Sequence, residues 1–164
     1  MNISIRRGTP TDLPQVYALI QELAIFEKAP DEVTNTLAEM HEDGFGPNPV
    51  FEFFVAEADN TIIGLCLYYV AYSTWKGRML YLEDLIITEA YRRYGVGKKL
   101  FNAFAQRALE LKVKRLKWQV LEWNEPAIQF YRKLNANLDP EWVNCNMTAE
   151  QIEAYVAALN NSAF

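Results

Sequence analysis

The 164-residue chain has a single histidine, His41, and two cysteines, Cys66 and Cys145. One imidazole argues against a histidine-built metal site or a Ser-His-Asp arrangement. Both cysteines lie in apolar, strand-like runs and read as buried, reduced thiols rather than as a disulfide framework. No apolar run approaches the roughly 20 residues needed to cross a bilayer. The N-terminus lacks a signal-peptide pattern, so a cytoplasmic location without membrane contact is expected. Asn146-Met147-Thr148 and Asn160-Asn161-Ser162 fit the glycosylation spacing, which carries no weight without secretion. Positive charge is also scarce. Sixteen Lys and Arg against 21 Asp and Glu leave a net charge of −5. That balance argues against general nucleic-acid binding and suits a cationic substrate.

What is present is a globular composition, 51% hydrophobic and 13% aromatic, enough for a full core in one domain spanning 1–164. There are no repeats, linkers or low-complexity segments. Ile3-Ser4-Ile5-Arg6 alternates as a strand, and Thr9 or Thr11 can cap a helix whose apolar positions are Leu13, Val16, Tyr17, Ile20, Leu23 and Ala24. A shorter helix covers about Thr34 to Glu42, with Gly44 as a left-handed stop. Phe51–Ala58 and Thr61–Tyr72 form a hairpin about Asp59-Asn60, and Arg78–Thr88 is the next strand. Arg115–Leu121 is a further strand. Asn124 caps a helix with Pro126 in its first turn and Asn135 at its end. A strand through Trp142 to Asn146 precedes a last helix opened by a Thr148/Gln151 capping box. The order β-α-α-β-β-β-α-β-α-β-α predicts an α+β fold, a mixed and mostly antiparallel sheet flanked by helices.

The chain turns on Arg92-Arg93-Tyr94-Gly95-Val96-Gly97-Lys98-Lys99, between an apolar strand and a helix. Gly95 and Gly97 allow close approach of an anion, and the first helix amides have no intrahelical partner. A dinucleotide fingerprint would need a third glycine where Leu100 stands. A P-loop would need Ser or Thr after Gly97-Lys98. The run Arg-x-x-Gly-x-Gly is left, and by itself it can equally be a glycine turn opening an ordinary helix. In its order of elements the chain resembles the GNAT N-acetyltransferase superfamily. Asp43-Gly44-Phe45-Gly46, Tyr81-Leu82-Glu83-Asp84, and Glu122-Trp123-Asn124-Glu125-Pro126 with Phe130-Tyr131 resemble its diamine acetyltransferase family. That family includes the spermidine/spermine N1-acetyltransferases and thialysine-acetylating relatives. Tyr72-Ser73-Thr74-Trp75-Lys76-Gly77-Arg78 is closer to the thialysine branch, because polyamine enzymes place an acidic residue where Ser73 stands.

The resemblance implies the acyl-CoA N-acyltransferase fold, acetyl-CoA as co-substrate, no metal, a small primary amine as acceptor and a homodimer. A peptide or protein acetyltransferase and a non-catalytic acyl-CoA-binding module are the alternatives. It assigns Glu83 as general base through water and Tyr131 as general acid. Leu85, Ile86 and Ile87 would supply strand contacts to the coenzyme, Arg92 to Lys98 the pyrophosphate loop, and Asn124 a bond to the pantetheine arm. Phe26, Glu27, Glu83, Asp84 and Glu141 would face the amine. Simple strand alternation puts Glu83 and Asp84 on opposite faces, and either could instead pair with an arginine in the sheet. Tyr131 could be an ordinary core tyrosine, Lys98 and Lys99 a solvated helix start, and Glu122 simply solvated. Trp75, Trp123 and Trp142 read as packing or dimer-contact residues. Arg93 replaces a glycine common at its position.

Overall fold

The computed structural model describes residues 2–161, so Ser162 of the second glycosylation match lies outside the described residues. The chain forms two compact units, Met1–Gln119 and Val120–Phe164, each taken by itself.

The first unit contains β1 (Ile3–Arg7), α1 (Leu13–Phe26), α2 (Leu37–Phe45), β2 (Glu52–Ala58), β3 (Thr61–Ser73), β4 (Gly77–Ile87), α3 (Val96–Glu110) and β5 (Leu116–Lys117). The five strands lie in sequence order. All neighbours are antiparallel except β4 and β5, which are parallel. Asp59 and Asn60 both have positive φ, 50° and 63°, as the tight β2–β3 hairpin requires. On one face Leu13, Val16 and Leu19 of α1 and Met40 of α2 pack on Phe53, Val55, Leu65, Leu67 and Ile86. On the other, Tyr68 lies against Phe104 of α3 with ring centroids 5.3 Å apart. A Cβ on Gly64 would come within 3.0 Å of Leu100 Cδ1, so glycine lets α3 sit close to the sheet.

α1 is anchored at its start by Asp12, which accepts from both guanidinium nitrogens of Arg6 at 2.7 and 2.8 Å and from the Thr9 amide. At its far end Ala29 N–H reaches Ala24 O, with Lys28 left-handed at φ 63°. This is a Schellman turn built without glycine.

The β3–β4 ladder is irregular where the chemistry is expected. Leu67 pairs with Asp84 but Tyr68 with Leu82, so Glu83 is the extra residue of a β-bulge. The backbone shows the consequence. Leu80 N–H donates toward β5, to Arg115 O, whereas Thr88 N–H donates toward β3, to Ile63 O. In an unbroken strand these two amides would point the same way. After the bulge it is Leu85 and Ile87 whose amides turn away from β3. The β4–β5 pairing stops short of the bulge. β5 pairs only with Leu80 and Tyr81, so the expected strand Arg115–Leu121 shrinks to two residues.

The second unit holds α4 (Glu125–Lys133) and α5 (Ala149–Asn161). Asn124 Oδ1 caps α4 through Ala127 N–H, and Asn135 is left-handed at φ 59°. Thr148 and Gln151 form the capping box at 2.8 and 3.3 Å. The expected strand through Trp142–Asn146 is absent. That stretch is irregular and exposed, and Asp139 accepts from Glu141 N–H and Trp142 Nε1. Local side-chain bonding has replaced a ladder. Cys145 is consequently exposed rather than buried, while Cys66 is buried as expected. Gly44 is a buried residue inside α2 and not its stop; the helix ends at Gly46.

Candidate active site

The bulge corrects the expectation that Glu83 and Asp84 face opposite sides. Asp84 is opposite Leu67, which points into the core under α1. Glu83 Oε2 accepts from Tyr69 OH at 3.3 Å, and Tyr69 is two residues from Leu67, on the same face. The two residues of the bulge thus present their carboxylates together. Glu27, the residue at which α1 ends, joins them electrostatically. The Asp84 carboxyl is raised from 3.8 to about 7, first by burial, then by the negative charges of Glu83 and Glu27. Burial also raises Glu27. Among the described residues none of these three acids is in an ion pair. Tyr69 and Tyr81 stack beside Glu83 with centroids 5.3 Å apart.

The Glu27 end of α1 also touches the phosphate loop. Arg92 places its guanidinium 5.2 Å above the Phe26 ring and donates Nε–H to Ile87 O at 2.9 Å. Glu22, not anticipated from the sequence, accepts from Thr88 Oγ1 at 2.6 Å and from Glu89 N–H at 3.2 Å. It ties the start of the loop to α1. Gly95, at φ 76°, precedes α3, and nothing lies within 4 Å of where its Cβ would be. No side chain caps α3. The helical ladder starts with Lys99 N–H to Gly95 O, so the amides of Val96, Gly97 and Lys98 precede it. Open space, free amides and the positive end of the helix dipole fit a pyrophosphate. Arg93 is left-handed at φ 69°, the conformation for which glycine is the natural choice. Tyr94, Lys98 and Lys99 are exposed.

Of the remaining expected site residues, Ile86 is buried in the core, while Leu85 and Ile87 contribute the outward amides of β4. Asn124 and Tyr131 are two turns apart on α4. Tyr131 is buried and meets Phe130 edge to face at 5.3 Å. Glu141 is exposed in the irregular stretch before α5, and Trp75, Trp123 and Trp142 are exposed. Among the described residues no cluster of His, Cys, Asp or Glu is placed to hold a metal. Tyr68 and Tyr69 also line a cavity of about 340 Å³ with Pro49, Val50, Phe51, Glu52 and Val70. Its carboxylate, Glu52, is already paired with Arg7 and Arg107.

Comparison with known proteins bears on the family and the fold. The profile of the Acetyltransferase (GNAT) family matches residues 13–136. Thialysine N-epsilon-acetyltransferase of Bos taurus is 37% identical over 142 residues, covering 82% of this chain and 84% of the relative. The protein of that name from Caenorhabditis elegans is 38% identical over 130 residues, covering 79% and 80%. A crystal structure of an aminoglycoside acetyltransferase from an uncultured soil metagenomic sample superposes with a TM-score of 0.73. It is 24% identical and covers 89% of this chain and 95% of that one. At that identity the likeness bears on the fold alone.

Proposed function

This chain belongs to the acetyltransferase (GNAT) family, and from that premise we propose that it moves an acetyl group from acetyl-CoA to a small primary amine. The acceptor is of the thialysine or lysine type, or a short diamine or polyamine. The single observation that carries this reading is the β4 bulge, which puts Glu83 and Asp84 on one face, within electrostatic reach of Glu27, with none of the three in an ion pair among the described residues. Acids that act on one another with no cation paired to them suit a cation from outside.

Acetyl-CoA supplies an activated acetyl group as a thioester. The phosphate end would be held by backbone N–H groups from Arg93 to Lys98, with Arg92 bracing the loop. Leu85 and Ile87 offer amides to the acyl oxygen and the pantetheine arm, Ile86 fixes the strand between them through the core, and Asn124 offers a further contact. An alkyl ammonium, with pKa near 10.4, is no nucleophile at neutral pH. Asp84 and Glu27 therefore hold the charged amine together with Phe26 and Glu141, and Glu83 accepts its proton, through water. Tyr131 returns a proton to the departing sulfur. Ser73, whose Oγ accepts from Lys76 N–H at 3.2 Å, brings no charge to the tip of the β3–β4 hairpin. A short amine thus fits better than one with a distant second ammonium.

One catalytic domain over 1–164 belongs to this reading, supported by a family match that continues past Gln119. A cytoplasmic homodimer does too. Every described side chain of α5 is exposed, including the stripe Ile152, Tyr155, Val156 and Leu159. An apolar stripe on a helix of 13 residues asks for cover, and a second copy would supply it. Light scattering tests the dimer; a monomer at working concentration contradicts it. The function is tested with acetyl-CoA and a panel of thialysine, lysine, short diamines, spermidine and a peptide. Thialysine or a short diamine should be turned over fastest, and a preference for the peptide would overturn the reading. Tyr131→Phe should lower kcat roughly 100-fold with the acetyl-CoA KM little changed; unchanged kcat removes Tyr131 from the mechanism.

A further inference from the structure

We propose that Tyr69 is the residue that positions Glu83 for proton transfer, its phenol holding one carboxylate oxygen so that the other faces the amine. This inference rests on the assignment of Glu83 as the proton acceptor.

Glu83 is poorly held by its own backbone. As the extra residue of the bulge it has no opposite number on β3, and its side chain is exposed. A glutamate in that state samples several rotamers, and catalysis in any one of them is diluted by the rest. Among the described residues the Glu83 carboxylate has one hydrogen bond, from Tyr69 OH to Oε2 at 3.3 Å. The distance is long for an O–H···O bond, as catalytic bonds often are before the substrate arrives and tightens them.

Tyr69 is itself well held. It is paired in the ladder with Tyr81 and stacked on that ring at an interplanar angle of 23°. It belongs to the neighbouring strand, beyond the irregularity, so its position does not depend on the bulge. Burial, and then the nearby Glu83 charge, push its phenol up to about 12. At neutral pH it is protonated and donates. The groups around the Glu83 carboxylate are then Tyr69 from β3, Tyr81 and Asp84 from β4, and Glu27 at the end of α1 through its effect on Asp84. Of these, Tyr69 supplies the hydrogen-bond donor. A tyrosine at this place does two jobs with different parts. The ring makes a cross-strand pair that phenylalanine would make equally well, and the hydroxyl does what phenylalanine cannot.

The test is a double-mutant cycle with Tyr69→Phe and Glu83→Gln, using the best amine of the panel. Tyr69→Phe keeps the stack, so the melting temperature and the acetyl-CoA KM should stay at the wild-type values while kcat falls about 10-fold, the scale of a hydrogen bond to a charged group. If Tyr69 acts through Glu83, Tyr69→Phe added to Glu83→Gln costs less than about 2-fold more. Wild-type kcat in Tyr69→Phe, or the same 10-fold loss in both backgrounds, overturns the positioning role while leaving Glu83 in place. Wild-type turnover in Glu83→Gln overturns the assignment of the proton acceptor, and this inference with it.

Discussion

The two ends of α1 treat negative charge in opposite ways. At the start, Asp12 sits at the positive end of the helix dipole and is clasped by Arg6. The Arg6 bonds lower its carboxyl from 3.8 to about 2 against the cost of burial. At the finish, Glu27 sits at the negative end, where a cation is favoured, and its carboxyl is raised by burial. Its charge acts on Asp84, also raised, together with that of Glu83. One end is a completed ion pair that supports the fold. The other is an ion pair with its positive half missing. The comparison separates an acid that stabilises from an acid that is kept destabilised for a substrate to complete.

The largest expected effect breaks the open end. Asp84→Asn should lower kcat/KM for the amine about 100-fold, the scale of losing one member of a desolvated charge pair. It should raise stability near pH 7.5 by about 2–4 kcal/mol, because the substituted side chain no longer ionises in a buried place. Thermal melts beside amine kinetics check both, and a less stable Asp84→Asn would erase the contrast.

Next in size is the pH dependence, in which the two aspartates have opposite signs. The native Asp84 carboxyl keeps its proton up to about 7 while the unfolded one releases it near 3.8. Its contribution to stability therefore falls as pH rises from about 4 to 7. The native Asp12 carboxyl is ionised down to about 2. Its contribution, about 2 kcal/mol, is complete above about pH 4 and is lost as pH falls from there toward 2. Denaturant melts of wild type, Asp12→Asn and Asp84→Asn across pH 2–8 should show the wild-type advantage over Asp12→Asn at neutral pH shrinking below about pH 4 and vanishing toward pH 2. The deficit against Asp84→Asn should vanish below pH 4.

The smallest effect extends the contrast to the phosphate loop. Arg93 holds a left-handed backbone at a cost of about 1 kcal/mol. Arg93→Gly should raise the melting temperature by about 2 °C and leave amine kinetics unchanged. A fall in melting temperature would show that the Arg93 side chain contributes more to the fold than its backbone loses.

Much of this fold is legible in local chemistry. Asp59-Asn60 can hardly be anything but a hairpin turn, and the caps at Asn124 and Thr148 and the left-handed Asn135 follow from side chains acting on their own backbone. The left-handed glycine turn at Gly95 that opens α3 is legible for the same reason. The features that are not legible locally depend on neighbours distant in the chain. The Trp142–Asn146 alternation looks like a strand but has no ladder to join. The bulge at Glu83 carries no glycine or proline to announce it. Because it is hidden, strand alternation separates two carboxylates that the fold unites. Tyr69 reads as an ordinary strand aromatic, although counting back from the Ser73–Gly77 turn places it opposite Tyr81. Glu22 reads as a solvated helix position, since nothing near it in the chain points to Thr88.

The extra residue in β4 divides the β3–β4 hairpin into two stretches with different tolerance. Between Tyr68 and the tip at Ser73–Gly77, one residue from each strand can be added or removed together without rotating anything beyond Leu82. The reach of this finger can therefore change without disturbing the sheet below it. Below it, a single insertion or deletion would move Ile86 out of its core position and turn the Leu85 and Ile87 amides inward. Variation in acceptor range should thus accumulate at the fingertip, while the number of residues from Glu83 to the glycine loop stays constant.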